Sequence, residues 1–204
     1  MRVNKKKFIY LISPNKIYKK FFKDLQRVLE TGKISFFQLR LKKYSLKHKV
    51  LIGQNIKYLC KKNKVKFLIN DDPLLAKRLG ADGCHLGQKD MNIYEAKKII
   101  GKKILGITCH NSLNLAKKAI KAKASYLAFG AFYSSKTKKT KYHATTKVLK
   151  EVKKLTNIPI VAIGGINSNN YKNLLLNKVN FLAISGYIWN NKKYKPLDAL
   201  ERLK

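Results

Sequence analysis

The stretch KFLINDDPLLAKRLGADGCHLG, residues 66–87, has the pattern of one strand, one helix and a second strand. KFLIN (66–70) and GCHLG (83–87) are short, largely apolar runs typical of buried strands. Between them, Asp72 followed by Pro73 predicts a helix N-cap and first helical residue. A helix of this length joins two parallel strands, so the stretch predicts a βαβ unit.

The same alternation extends along all 204 residues and predicts a single (β/α)8 TIM barrel, one domain over 1–204. An open doubly wound sheet has the same pattern and stays open as an alternative. Helical periodicity marks segments near 21–29, 52–59, 93–100, 116–120, 149–155 and 197–203. The other predicted strands are FIYLI (8–12), ISFFQL (34–39), KILGIT (103–108), SYLAFG (125–130), IPIVAIGG (158–165) and FLAIS (181–185).

Apolar runs in the chain reach only about five residues, so we expect no membrane span. Three cysteines, at 60, 84 and 109, have no paired spacing and are expected to be reduced thiols. These features predict a cytoplasmic protein. The sequence leaves open whether the chain is a monomer or a homo-oligomer.

The formal net charge is +36, which raises the alternative of a basic nucleic-acid-binding protein. Of the 46 basic residues, however, 41 are Lys and five are Arg, whereas base and phosphate recognition favours the Arg fork. The lysines are also spread over every segment. This distribution favours a solvated Lys-rich surface over a nucleic-acid partner.

Acidic residues are scarce, yet four of the ten fall within residues 71–90. Asp72 is explained by helix capping, and Asp82 is interpreted as a turn residue. Asp71 and Asp90 follow two neighbouring strands, whose ends meet on one face of a barrel. Carboxylate oxygens suit Mg²⁺, which typically binds one or two carboxylates together with substrate phosphates. Asp71 and Asp90 are therefore the candidate metal ligands.

Other strand ends carry groups that bind anions. Amide, guanidinium and ammonium groups alternate at Gln38, Arg40 and Lys42 after the second strand. Further candidates follow strands six to eight: Ser135, Thr137, Lys138, Gly165, Ser185 and Gly186. His85 and His110 have no partner at zinc-ligand spacing, so we expect packing or hydrogen-bonding roles.

Six motifs in order make the chain similar to the thiamine phosphate synthase family. They are QLRLK (38–42), INDD (69–72), ADGCHLGQKD (81–90), GITCH (106–110), SKTK (135–138) and IPIVAIGGI (158–166). The resemblance covers nearly the whole chain. It implies a barrel enzyme, a transferase, that joins 4-amino-2-methyl-5-hydroxymethylpyrimidine diphosphate to thiazole phosphate with Mg²⁺ and releases pyrophosphate.

Site residues are carried over motif by motif from this resemblance. The pyrimidine diphosphate would be held by Gln38, Arg40, Lys42, Asn70, Thr108 and Lys138. The metal would be held by Asp71 and Asp90, and the thiazole phosphate by Ser135, Thr137, Gly165, Ser185 and Gly186. The family implies loss of diphosphate before attack by the thiazole nitrogen, with Arg40, Lys42 and Lys138 stabilising the leaving group.

Departures from the family pattern fall mainly in the thiazole-phosphate region. Ser135 stands where Thr is common, and Ala131 and Ser134 replace prolines. The related thiazole tautomerases share the barrel without diphosphate chemistry and typically lack the residues matching Asp71 and Asp90. Both carboxylates are present here, which favours the synthase over the tautomerase alternative.

Overall fold

The computed structural model describes residues 8–134 and 141–203 and has a closed barrel of eight parallel strands. Each strand pairs with the next along the chain, and the first strand also pairs with the eighth. The predicted (β/α)8 barrel is therefore confirmed. The open doubly wound alternative is wrong, because pairing of Ile9 with Leu182 closes the sheet.

In the described part of the chain each strand is followed by a helix, and two helices follow the eighth strand. The strands are β1 (Ile9–Ile12), β2 (Ile34–Leu39), β3 (Lys66–Asn70), β4 (Gly83–Leu86), β5 (Ile104–His110), β6 (Tyr126–Gly130), β7 (Ile160–Ile163) and β8 (Phe181–Ile184). The helices are α1 (Phe21–Glu30), α2 (Leu46–Lys62), α3 (Pro73–Leu79), α4 (Ile93–Ile100), α5 (Leu113–Lys121), α6 (Thr146–Leu155), α7 (Tyr171–Leu176), α8 (Gly186–Trp189) and α9 (Pro196–Glu201).

Two-residue alternation within each strand divides the apolar side chains between two cores. Ile9 and Leu11 of β1 belong to the larger core between the strands and the outer helices. Tyr10 and Ile12 face the barrel interior, where they pack with Leu68 and other inward-facing residues. The interior is thus filled by side chains, and any ligand site must lie at an end of the barrel.

Capping at Asp72 fixes where β3 turns into α3. The Asp72 carboxylate accepts a 2.9 Å hydrogen bond from the backbone N–H of Leu75, and Pro73 is the first helical residue, as predicted. Asp82 instead accepts a bond from the N–H of Phe67 and pairs with Lys66. Two of the four clustered aspartates therefore have structural roles, and Asp71 and Asp90 remain for chemistry.

Within the described ranges, none of the helices combines the length and the apolar character needed to cross a membrane. Cys60, Cys84 and Cys109 are buried free thiols. Burial raises the pKa of Cys84 and of Cys109 to about 12, so both are protonated at neutral pH. These thiols contribute to packing and have no nucleophilic character.

Candidate active site

The carboxyl ends of the strands bring most of the predicted polar residues to one end of the barrel. Gln38 is near the end of β2, Asn70 is the last residue of β3, and Thr108 is near the end of β5. Parallel pairing places Leu39 beside Ile69 and Asn70 beside His85, so the ends of β2, β3 and β4 are neighbours.

Asp71 and Asp90 come together at this end of the barrel, and their carboxyl groups are hydrogen-bonded to each other. Asp71 directly follows β3 with φ of 64°, and its backbone N–H donates to the carbonyl oxygen of His85 at 2.8 Å. Asp90 accepts a 2.6 Å bond from the backbone N–H of Gly87. The backbone of the β4 region therefore anchors both residues.

Lys42 places a positive charge beside this pair. Its Nζ lies 2.9 Å from Oδ2 of Asp71, and its side chain is 56% exposed. Because the ammonium group is accessible and adjoins both the carboxylates and solvent, it can also contact an anionic ligand.

The two carboxyl groups have pKa values displaced in opposite directions. Burial, followed by the hydrogen bond to Asp71, raises the pKa of Asp90. Burial opposes ionisation of Asp71 as well, but hydrogen bonds from Asp90 and Lys42 outweigh it and hold the pKa of Asp71 below its usual range. As the pH falls, Asp90 therefore takes up a proton before Asp71 does.

This pair fits a hard divalent cation. Two adjacent ionised carboxylates repel each other unless a proton or a cation relieves the repulsion, and the charge of Asp71 is one of the causes that raise the pKa of Asp90. In residues 8–134 and 141–203, no group of three or more His, Cys, Asp or Glu side chains forms a metal cluster. A cation at Asp71 and Asp90 would complete its shell with water or ligand oxygens, as Mg²⁺ commonly does.

Arg40 lies beyond β2 and is held at the turn after β1. Its guanidinium donates to Oδ1 of Asn15 at 2.7 Å, and its backbone N–H donates to Oγ of Ser13 at 2.9 Å. The sequence-predicted grouping of Gln38, Arg40 and Lys42 is thus spread between the barrel interior, the β1 turn and the carboxylate pair.

A chain of hydrogen bonds crosses the barrel interior beneath these groups. Gln38 bonds Asn70 and Tyr10, and Tyr10 contacts the hydroxyl of Tyr126 at 2.7 Å. The Tyr126 hydroxyl is also 2.8 Å from Nδ1 of His85, whose Nε2 is 2.8 Å from Oγ1 of Thr108. Three predicted ligands, Gln38, Asn70 and Thr108, therefore belong to one network.

Sequence reasoning missed Tyr10 and Tyr126, because both were interpreted only as apolar strand residues. A signal was present in Gly106, an isolated glycine within a strand, which indicates close approach of another group. Tyr126 is that group: a Cβ added at Gly106 would lie 1.8 Å from its ring.

On the opposite side of the mouth, the loops after β6 and β7 touch each other. Gly164 and Gly165 have φ of 106° and 62°, and a Cβ at Gly165 would lie 2.3 Å from the carbonyl oxygen of Ser134. The N–H of Tyr133 donates to the carbonyl oxygen of Gly164 at 3.1 Å. Glycine is needed at Gly165 both for its backbone conformation and for this close approach.

Of the other residues predicted for this side of the mouth, two are described by the structure and three are not. Ser185 donates from Oγ to the carbonyl oxygen of Ser13 at 3.1 Å, and Gly186 begins α8. Ser135, Thr137 and Lys138 lie outside the described residues. The ring of His110, the last residue of β5, stacks on Tyr142 with ring centroids 3.9 Å apart.

A cavity of about 460 Å³ adjoins Asp71 of the carboxylate pair. Lys42, Lys49, Asp71 and Asp72 contribute its charged groups, and Leu41 and Met91 are among its apolar lining. The predicted metal ligand Asp71 is therefore open to a space large enough for a small-molecule ligand.

Comparison with known proteins supports the family resemblance and the barrel fold. The family model described as thiamine monophosphate synthase matches residues 9–188. The thiamine-phosphate synthase of Pelagibacter ubique is 67% identical over 207 aligned residues, covering 100% of both chains. That of Erythrobacter litoralis is 38% identical over 196 residues, covering 94% of this chain and 92% of the relative.

Among solved structures, thiamine phosphate pyrophosphorylase from Pyrococcus furiosus superimposes with a TM-score of 0.85 at 28% identity, covering 97% of this chain and 94% of that one. Orotidine 5'-phosphate decarboxylase from Pyrococcus horikoshii reaches a TM-score of 0.66 at 12% identity over 95% of this chain and 96% of its own, and that likeness shows the shared barrel alone. The resemblance noted in the six sequence motifs is thereby confirmed. Since the family model spans most of the chain and a full-length relative is two-thirds identical, the chain belongs to the thiamine monophosphate synthase family and is a transferase.

Proposed function

We propose that the enzyme condenses the aminopyrimidine diphosphate with thiazole phosphate, in a Mg²⁺-dependent reaction, to give thiamine phosphate and pyrophosphate. The observation that carries the proposal is the hydrogen-bonded Asp71–Asp90 pair with Lys42 beside it. Both groups suit a diphosphate, whose oxygens can complete a magnesium shell and accept bonds from an ammonium group.

Asp71 and Asp90 would hold the ion, and this assignment is supported by the closeness of their carboxyl groups and by their position at the strand ends. When bound, Mg²⁺ supplies positive charge that stabilises negative charge growing on the diphosphate oxygens. The protein's own contribution is to fix the two carboxylates before the ligand arrives, Asp90 through Gly87 and Asp71 through the backbone of His85.

Departure of the diphosphate breaks the C–O bond at the pyrimidine CH₂ group, and the electron pair leaves with the oxygen. Because the aminopyrimidine ring is electron-rich, it can stabilise the resulting carbocation, and the thiazole nitrogen then forms the new C–N bond. Lys42, Arg40 and Lys138 would stabilise the departing charge electrostatically. No side-chain nucleophile is required, which agrees with the protonated state of the buried thiols.

Gln38, Asn70 and Thr108 would bind the pyrimidine. Amide and hydroxyl groups can complement a ring with acceptor nitrogens and an exocyclic amino group. The support for this assignment is that the three side chains share one hydrogen-bond network at the inner wall of the site.

Thiazole phosphate would bind on the opposite side of the mouth, at Gly165, Ser185 and Gly186, together with Ser135 and Thr137. Gly165 brings two loops together without a side chain between them, which allows backbone groups to approach an anion. Holding the second substrate here orients its nitrogen, and such positioning is worth up to about 7–11 kcal/mol.

A thiazole tautomerase is the rival function on the same barrel. Such a reaction has no leaving diphosphate and needs no metal beside a cationic group. The neighbouring carboxylates and the adjacent Lys42 favour the synthase, because a divalent cation and a diphosphate are the ligands that these groups suit.

Purified protein incubated with both phosphorylated heterocycles tests the proposal. We expect thiamine phosphate and pyrophosphate in equal amounts with Mg²⁺, and loss of both products when the ion is chelated. Absence of both products in the presence of Mg²⁺ would contradict the proposed reaction. Equal product formation with and without chelator would contradict only its metal dependence.

Replacement Gly165→Ala should weaken the thiazole-phosphate site selectively. The new methyl group would meet the backbone of Ser134 at 2.3 Å in a left-handed conformation, so the β6 and β7 loops must separate. We expect KM for thiazole phosphate to rise about tenfold or more, with a smaller change for the pyrimidine substrate. Steady-state kinetics with each substrate varied in turn provides the measurement, and an equal rise for both substrates would remove Gly165 from this subsite.

We also propose that the enzyme is cytoplasmic. Three buried cysteines remain free thiols, the state that a reducing compartment maintains.

A further inference from the structure

The hydroxyl of Tyr126 joins two halves of the polar network inside the barrel. On one side it contacts Tyr10, which bonds Gln38, and on the other it contacts His85, which bonds Thr108. Tyr126 is 3% exposed and Tyr10 is 1% exposed. Neither tyrosine was predicted as a site residue, and neither has access to solvent for a role of its own.

Proton counting gives the whole chain one direction. Tyr10 donates its only hydroxyl hydrogen to Oε1 of Gln38, so the 2.7 Å bond between the tyrosines requires Tyr126 to donate to Tyr10. The Tyr126 oxygen must then accept from Nδ1–H of His85. When the His85 ring is neutral, its single proton is then on Nδ1, so Nε2 accepts and Thr108 donates to it.

This direction decides which polar atoms the site offers to a ligand. Gln38 donates from Nε2 to Oδ1 of Asn70, which leaves the amide nitrogen of Asn70 as its donor group. The hydrogen of Thr108 is used on His85, which leaves the Thr108 oxygen as an acceptor. A donor and an acceptor at these two positions complement a ring nitrogen and an exocyclic amino group.

Gly106 makes this arrangement possible. Gly106 is on β5, where it pairs with His85 of β4 on one side and with Tyr126 of β6 on the other. The Tyr126 ring occupies the space of a side chain at Gly106 and stacks on the His85 ring, with centroids 5.6 Å apart and planes 14° apart. Without this gap, Tyr126 could not reach across β5 to His85.

We propose that Tyr126, whose ring lies over Gly106, is a positioning residue. Its hydroxyl sets the direction of the hydrogen bonds that orient Gln38 and Asn70 on one side and His85 and Thr108 on the other. In this way Tyr126 orients the aminopyrimidine. The kinetic part of this inference rests on the proposed function. The direction of the network does not, and it can be measured without substrate.

Nitrogen NMR of the His85 ring in the wild-type protein tests the direction itself. We expect the neutral ring to carry its proton on Nδ1. In the variant Tyr126→Phe, which keeps the ring and removes the hydroxyl, the Nδ1 partner is lost and the His85 signals should shift. A proton on Nε2 in the wild-type protein would overturn the proposal whether or not the enzyme makes thiamine phosphate.

Kinetics of Tyr126→Phe test the consequence. We expect kcat/KM for the pyrimidine diphosphate to fall about 10- to 100-fold, the usual effect of losing a supporting hydrogen-bond partner. KM for thiazole phosphate should stay within about twofold. Tyr18→Phe is the matched control, because it removes a tyrosine hydroxyl bonded to Asp24, outside the network, and should leave both parameters unchanged.

The variant Tyr10→Phe completes a double-mutant cycle. Because both tyrosines act through their mutual bond, the double variant should lose less than the product of the single losses. The positioning role is wrong, while the proposed function stands, under either of two results with an active wild-type enzyme. In the first, the folded Tyr126→Phe variant has the kcat/KM of the wild type. In the second, the loss in the double variant equals the product of the two single losses. If Tyr126→Phe does not fold, Tyr10→Phe alone should still impair the pyrimidine substrate selectively, and wild-type kinetics for it would overturn the proposal.

Discussion

Replacement of either proposed metal ligand, as Asp71→Asn or Asp90→Asn, should lower turnover about 1,000-fold at a Mg²⁺ concentration that saturates the wild-type enzyme. Each change removes one of two carboxylates and one negative charge where the cation is proposed to bind, and comparable losses follow removal of one preorganised electrostatic group. Asparagine is the chosen replacement because Asp71 has a φ of 64°, a backbone conformation that Asn adopts more readily than Ala. Product formation with Mg²⁺ varied measures the effect, and raising the Mg²⁺ concentration should restore part of the activity.

The matched control for these variants is Asp72→Asn. This residue adjoins Asp71 and carries the same charge, but its carboxylate caps α3 by accepting from the N–H of Leu75. Asparagine caps helices as well as aspartate does, so both stability and turnover should stay near those of the wild type. Wild-type turnover of both Asp71→Asn and Asp90→Asn would remove the metal from this site. A loss in Asp72→Asn equal to theirs would mean that local charge, and not ligation, is responsible.

Replacement Lys42→Met should lower kcat/KM for the pyrimidine diphosphate about 100-fold. The change keeps the length and apolar stem of the side chain and removes the ammonium group that lies 2.9 Å from Asp71. Two effects add: the leaving diphosphate loses a stabilising charge, and Asp71 loses a partner that favours its ionised form. Lys43→Met is the control, because it removes an equal charge from the next, exposed residue.

The pH dependence of Lys42→Met follows from the pKa of Asp71. Lys42 helps to hold this pKa below its usual range, so its removal raises the pKa of Asp71. Because the site requires ionised Asp71, the acidic limb of the kcat/KM profile should move to higher pH in the variant. An acidic limb at the wild-type pH, or a loss in Lys43→Met as large as that in Lys42→Met, would contradict the role assigned to this lysine.

Most of the barrel could be predicted from periodicity because each short apolar run was bounded by helical segments. β2 and β3 match their predicted limits. β5 extends to His110, beyond its predicted end, and β7 begins after Pro159 because proline lacks the N–H that sheet pairing uses. Helices α7 and α8 were not predicted, since six and four residues are too few to show helical periodicity.

In the site, too, the features that follow from strand order could be predicted, whereas contacts between residues distant in sequence could not. Convergence of Asp71 and Asp90 could be predicted because parallel strands carry their carboxyl ends to one side. The interior network could not, because Tyr10 and Tyr126 are 116 positions apart and meet only when the barrel closes. The sequence also grouped Arg40 with Lys42, whereas Arg40 is held at the β1 turn by Asn15, a contact that depends on loop geometry.

The lack of a side chain at Gly106 makes the residue at this position depend on the residue at Tyr126. A methyl group there and the ring of Tyr126 cannot occupy the same volume, so neither residue can drift independently. Among homologous enzymes we expect the two positions to covary: a bulkier residue at the first should accompany a small or differently shaped residue at the second. An exchange of one of the two residues would therefore require a matching change of the other.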